Sequence, residues 1–188
     1  MFPALTLSSL GPSLIESDFN YLYPLNTMEL LTKFEPFIQN FIKYIDDNYM
    51  HFGTNGLEYI AELNNPKRPV YAALWLFPLI FPPLCIKHTV KNNKKSSWRP
   101  SKVEQACSFI RFINNVNDVK NTQKSIVKKA YTFGLTVQPY ILTVGSIFEE
   151  IYSEERIQSF LVINSTKYKF ETPLKAVDTC FKSFFTFN

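Results

Sequence analysis

The 188-residue chain is poor in glycine and cysteine, with 5 and 3 residues, and holds only 2 histidines. That little glycine excludes a glycine-rich or collagenous chain, and three cysteines cannot supply a disulfide framework for a fold of this length. There is no Gly-x-Ser-x-Gly turn, no phosphate-cradling glycine loop and no His-Glu-x-x-His helix. A structural zinc needs four ligands. Cys85 and His88 stand close together, but His51, Cys107 and Cys180 supply no second pair at useful spacing. No metal or other cofactor is therefore expected, and Cys107 and Cys180 read as core residues. A carboxylate set for two-metal chemistry is missing too. Asp178 has no acidic partner placed by a strand end, and a contact to Lys175 or Lys182 along its own helix accounts for it. With no positioned acid, base or nucleophile, no enzymatic activity is expected.

Export and membrane signals are equally thin. The segment from Met1 to Ile15 lacks a positive n-region and an unbroken apolar stretch, so an intracellular location, cytoplasmic or nuclear, is expected. Without secretion the acceptor pattern Asn164-Ser165-Thr166 is idle. Val70 to Ile86 runs without a charge between Lys67-Arg68 and Lys87. Pro78, Pro82 and Pro83 each remove a helical donor, so a buried helix over Val70–Phe77 is expected rather than a membrane span.

What the chain does have is core material and an uneven charge. It is 46% hydrophobic, with 18 Phe and 10 Tyr, which is enough for one globular domain. Met1–Pro66 carries 2 basic and 8 acidic residues, Lys67–Ala130 carries 13 and 2, and Tyr131–Asn188 carries 5 and 6. The net charge of +4 thus conceals an acidic head and a basic waist. Such asymmetry implies either a polyanionic partner for the waist or an internal clamp between waist and head.

Residues 1–25 read as an irregular arm, either tied down by Phe19, Tyr21 and Tyr23 or loose, and residues 26–188 as a single domain. Asn26 or Thr27 opens a helix whose apolar stripe includes Leu30, Phe34, Ile38, Phe41 and Ile45, with a kink or restart near Glu35 imposed by Pro36. Leu57–Leu63 reads as a short helix and Thr89–Ser97 as a solvated basic loop. Ser101 and Glu104 form a capping-box pattern before a helix that carries Val103, Ala106, Cys107, Ile110 and Ile113 on one face. Asn117 or Asp118 caps a further helix through Ala130, ended by Gly134. Then the period changes. Gln138–Val144, Phe160–Ile163 and Thr166–Phe170 read as strands, the last two as a hairpin about Asn164-Ser165, and Thr172-Pro173 opens a final helix. The expected fold is α+β: a mainly helical body, a small antiparallel sheet of about three strands covered by helices on one face, and a C-terminal helix.

Several strings in the second half carry a resemblance: Trp98-Arg99-Pro100-Ser101, Phe109-Ile110, Gln138-Pro139, Gly145, Tyr168, Ala176-Val177-Asp178 and Cys180-Phe181-Lys182. From about Ser97 to Asn188 the chain is similar to the C-terminal region of a group of uncharacterised insect proteins that look derived from mobile elements. In those proteins the final helix leads into further sequence, so the resemblance implies a shortened copy or an incomplete gene product here. It implies no reaction, cofactor or catalytic residue.

The basic segment near 87–102 is the strongest functional signal. Lys87, Lys91, Lys94, Lys95, Arg99 and Lys102 cluster around Trp98, a composition suited to neutralising phosphates and stacking on a base. Lys120, Lys124 and Lys128, with Lys129, have the spacing of one helical stripe. The expected function is nucleic-acid binding through this segment. Charge runs are also commonly plain solvated faces. The competing expectation is a protein-binding or self-associating module that uses the Phe37/Phe41 helix or the Phe77–Leu84 strip.

Overall fold

The computed structural model describes residues 7, 9–48, 54–63, 69–90, 94–145 and 157–187, with the backbone alone at 54–58, 88–90 and 94–96. The helical body comes first: α1 (Gly11–Leu22), α2 (Glu29–Asn48), α3 (Thr54–Leu63) and α4 (Pro69–Leu76), the last continued by a 3-10 turn over Phe77–Ile80. Strands β1 (Ile86–Val90) and β2 (Lys94–Trp98) form an antiparallel hairpin with Ile86 opposite Trp98. Then follow α5 (Lys102–Phe109), β3 (Ile110–Ile113), α6 (Val119–Phe133), β4 (Tyr140–Val144), β5 (Gln158–Ile163), β6 (Thr166–Phe170) and α7 (Pro173–Thr186). The α+β class is as the sequence predicts.

The sheet differs from expectation in two ways. It has four strands in the order β3-β4-β5-β6, and β3 runs parallel to β4 while the other pairs are antiparallel. Ile110 belongs to β3, so the helix begun at Ser101 stops at Phe109 and the chain turns extended. The run Ile110-Arg111-Phe112-Ile113 is β-branched and aromatic, and sheet pairing overrides the helical spacing that carries on from Ala106. A parallel pair needs a crossover, which α6 supplies.

Both faces of the sheet are covered, not one. Ile110, Ile141 and Leu161 share a core with Ala176, Val177 and Cys180 of α7. On the other side Tyr140, Leu142, Val144 and Val162 pack against Val119 and Ile126 of α6. The β5–β6 hairpin turns at Asn164, whose φ of 55° suits asparagine better than most residues.

Residues 11–22, expected as part of an irregular arm, are helical. Pro12 sits in the first turn of α1, and Gly11, Ile15 and Phe19 face inwards at four-residue steps toward α7. Leu10, Leu14, Tyr21 and Leu22 are exposed, and their apolar character blurs that stripe in the sequence. Of the expected anchors, Phe19 is buried and Tyr23 packs 5.0 Å from it, ring to ring, whereas Tyr21 points to solvent. No restart interrupts α2 at Pro36: Phe34, Ile38, Phe41 and Ile45 keep one buried face on both sides of it. The helix expected at the start of the apolar run is core, with Tyr71–Leu76, Pro78 and Leu79 buried, whereas Phe81, Pro82, Leu84 and Cys85 farther along the run are exposed. No described helix is long and apolar enough to cross a membrane.

Gly11 is where the seam between α1 and β6 has no room. A β-carbon there would stand 2.7 Å from Cζ and 2.8 Å from the hydroxyl oxygen of Tyr168, a side chain with no exposed surface. Gly11→Ala should therefore destabilise the fold by about 1–3 kcal/mol through overpacking. Urea denaturation checks this, and a loss below about 0.5 kcal/mol would show that the seam yields freely.

Candidate functional site

Residues 86–90 and 94–98, expected in large part as a loop, form the β1–β2 hairpin, whose register places Lys95 opposite Thr89 and Lys94 opposite Val90. Lys-rich sequence has little β preference, so pairing with a neighbouring strand, which a local reading does not see, decides the conformation. The hairpin packs against α6. Trp98 stacks on Phe133 with ring centroids 4.3 Å apart and planes 15° from parallel. The Lys129 ammonium lies 4.7 Å from the indole centre and 2.6 Å from Glu104 Oε1. Glu104 in turn closes the capping box of α5: its Oε2 accepts from the Ser101 N–H at 2.8 Å, and its own N–H donates to Ser101 Oγ at 3.1 Å. Ser101, Glu104, Lys129, Trp98 and Phe133 thus form one chain of contacts that ties α5, α6 and β2 together.

The Lys129 ammonium, helped by the Ser101 N–H, pulls the Glu104 carboxyl down to about 2 from an ordinary 4.5. A lowered carboxyl contributes stability that is complete above pH 4.5 and is lost as the pH falls toward 2. The urea midpoint of Glu104→Gln should therefore lie below that of the native chain by a constant amount above pH 5, and the gap should narrow from about pH 4.5 downwards and close only near pH 2. A gap independent of pH would show that the carboxylate charge contributes nothing.

The candidate residues are arranged unevenly. Lys87 is exposed and in no ion pair with a described residue. Arg99 is exposed and donates from Nε to the Pro83 carbonyl at 3.0 Å. Lys102 is half-buried and has a partner of its own. Lys94 and Lys95 lie on β2, and Lys91 lies outside the described residues. Trp98 is half-buried, and its stack on Phe133 makes it a strut of the face. Nothing within either segment signals that α6 docks beside this hairpin. Lys120, Lys124 and Lys128 are exposed at four-residue steps, and α6 contains no acidic residue at all. Their spacing was legible, but their proximity to the hairpin depends on tertiary packing.

A second charged cluster lies under α1. Lys182 is 2% exposed, with its ammonium 2.7 Å from Asp178 Oδ2 and 3.5 Å from Glu16 Oε1. Lys182 is thus the helical neighbour that Asp178 contacts. Burial pushes the Asp178 carboxyl up against the opposing pull of Lys182. The Cys180 thiol on the same helix is driven up to about 12 by burial, as befits a core residue, while Cys107 is only half-buried. Phe37 and Phe41 pack on each other and on Phe77, whereas Phe81 and Leu84 remain exposed.

No family model matches the chain, and no curated protein or solved structure is significantly similar to it.

Proposed function

We propose that this chain is a non-enzymatic, intracellular interaction module of mobile-element ancestry that binds nucleic acid across the β1–β2 hairpin and α6. The observation that carries the reading is the docking of α6 against β1. Two lysine-rich segments separated in sequence become neighbours, one exposing Lys120, Lys124 and Lys128 and the other bearing Lys87, Lys94 and Lys95 with Arg99 beyond. At 1.5 Å rise per residue the three α6 lysines span about 12 Å, comparable with three or four phosphates of one duplex strand, which advance about 3.4 Å each along the helix axis. Trp98 acts from within, holding the hairpin to α6. Contacts of this kind read phosphate and not base edges, so binding is expected to vary little with sequence.

Anisotropy of labelled single- and double-stranded DNA and RNA against the full chain tests the reading, beside a variant with Lys91, Lys94, Lys95 and Arg99 changed to Glu. The native chain should bind at about 50 mM salt and the variant at least tenfold more weakly. Equal binding by both, or none by the native chain, would reject it. The exposed Phe81 and Leu84 support the competing reading of a protein-binding or self-associating module, which predicts a mass that rises with concentration and no affinity for polyanions.

A further inference from the structure

Below the hairpin, α5, α6 and the segments 81–86 and 135–138 enclose a cleft of about 760 Å³. That volume is within the range of small-molecule sites. Its walls are largely apolar, with Phe81, Leu84, Ile86, Ile126, Leu135 and Val137 among them. One wall carries Arg111. The residue is the lone charge of β3, and its Nε is buried without a hydrogen-bond partner among the described residues. Arg111 as a whole is only half-buried and is in no ion pair with a described residue, and an anion is the partner that a guanidinium fork fits best. Among the described residues the one carboxylate lining the cleft, Glu104, already accepts from Lys129 and from the Ser101 N–H. Cys107 and Tyr140, which also line it, are neutral at pH 7, both with their ionisation pushed up by burial. Among the described residues nothing answers the charge of Arg111, and the space around it suits the apolar body of a singly charged anion.

We propose that this cleft binds an amphipathic monocarboxylate, its carboxylate paired with Arg111 and its hydrocarbon tail lying along Phe81, Leu84 and Ile86. A multiply charged phosphate ester would lose its solvation against those walls with one guanidinium to compensate it. The proposal stands apart from nucleic-acid binding, because it uses neither the hairpin lysines nor the exposed lysines of α6.

Decanoate and 1-decanol, alike in length and unlike in charge, separate the two halves of the claim. Calorimetric titration of the full chain should show decanoate binding in the micromolar range and at least about tenfold tighter than the alcohol. Emission of Trp98, which lines the cleft, should change as decanoate binds. In Arg111→Gln the acid should fall to the affinity of the alcohol, with the thermal midpoint reporting that the variant is folded. Should that variant fail to fold, the acid–alcohol comparison on the native chain decides alone. Equal affinity of acid and alcohol, undiminished decanoate binding by Arg111→Gln, or no binding up to about 1 mM would overturn the proposal.

Discussion

Replacing Lys182 by alanine should cost about 3–5 kcal/mol of folding stability, the largest loss expected from any single charge in this protein. The lysine is buried beside Asp178, and the change strands a carboxylate that is itself only 7% exposed. Glu16, 48% exposed and 3.5 Å away, can turn to solvent and is not stranded in the same way. Attraction between the pair offsets the cost of taking both charges out of water, so removing one partner hurts more than removing both. The double variant Asp178→Asn with Lys182→Met should recover most of the loss. The sign with pH follows from the Asp178 carboxyl, which burial raises even with the ammonium present. Without Lys182 it rises further. A raised carboxyl makes the folded state take up a proton more readily, so the defect of Lys182→Ala should be largest near pH 8 and smaller near pH 5. Urea denaturation at the two pH values checks this. A loss below about 1 kcal/mol at pH 8 would mean that water reaches Asp178 and solvates it.

Changing Lys120, Lys124 and Lys128 together to Gln should weaken nucleic-acid binding roughly 100-fold at about 0.1 M salt. Each of these lysines is exposed and in no ion pair with a described residue, so phosphate contact has no internal competitor. Stability should move little, since three like charges at four-residue steps repel slightly in the native helix and glutamine is a good helix former. Lys129→Gln makes the contrast. Its ammonium is held between Glu104 and Trp98, so its loss should loosen the hairpin and lower stability while removing no phosphate contact directly. Matched thermal melts and anisotropy titrations of the two variants separate these roles. An affinity unchanged in the triple variant would remove α6 from the binding face.

Features set within a few residues were legible in the sequence. The capping box at Ser101 and Glu104, the Thr172 cap with Pro173, the left-handed stop at Gly134 and the Asn164-Ser165 hairpin all depend on local chemistry and all form. Features set by distant partners were not. Ile110 and Ile113 continue a helical stripe on paper, yet pairing with Ile141 and Val144 on β4 makes them strand. Lys94 to Trp98 has the composition of a loop, and the opposing strand together with the Trp98–Phe133 stack gives it order. For the same reason the lysines of each segment could be named in advance, but their meeting on one face could not. Arg111 offered a faint signal as a single charge in an apolar run, and only the cleft around it gives that charge a meaning.

If the hairpin and α6 form one phosphate-contacting surface, binding must weaken steeply as salt rises. The slope of log affinity against log salt should be steeper than about −3 for the native chain with single-stranded DNA. It should flatten by about 2 in the triple α6 variant, and flatten again when the hairpin charges are also reversed. A native slope near zero, or one that neither set of substitutions alters, would contradict the claim.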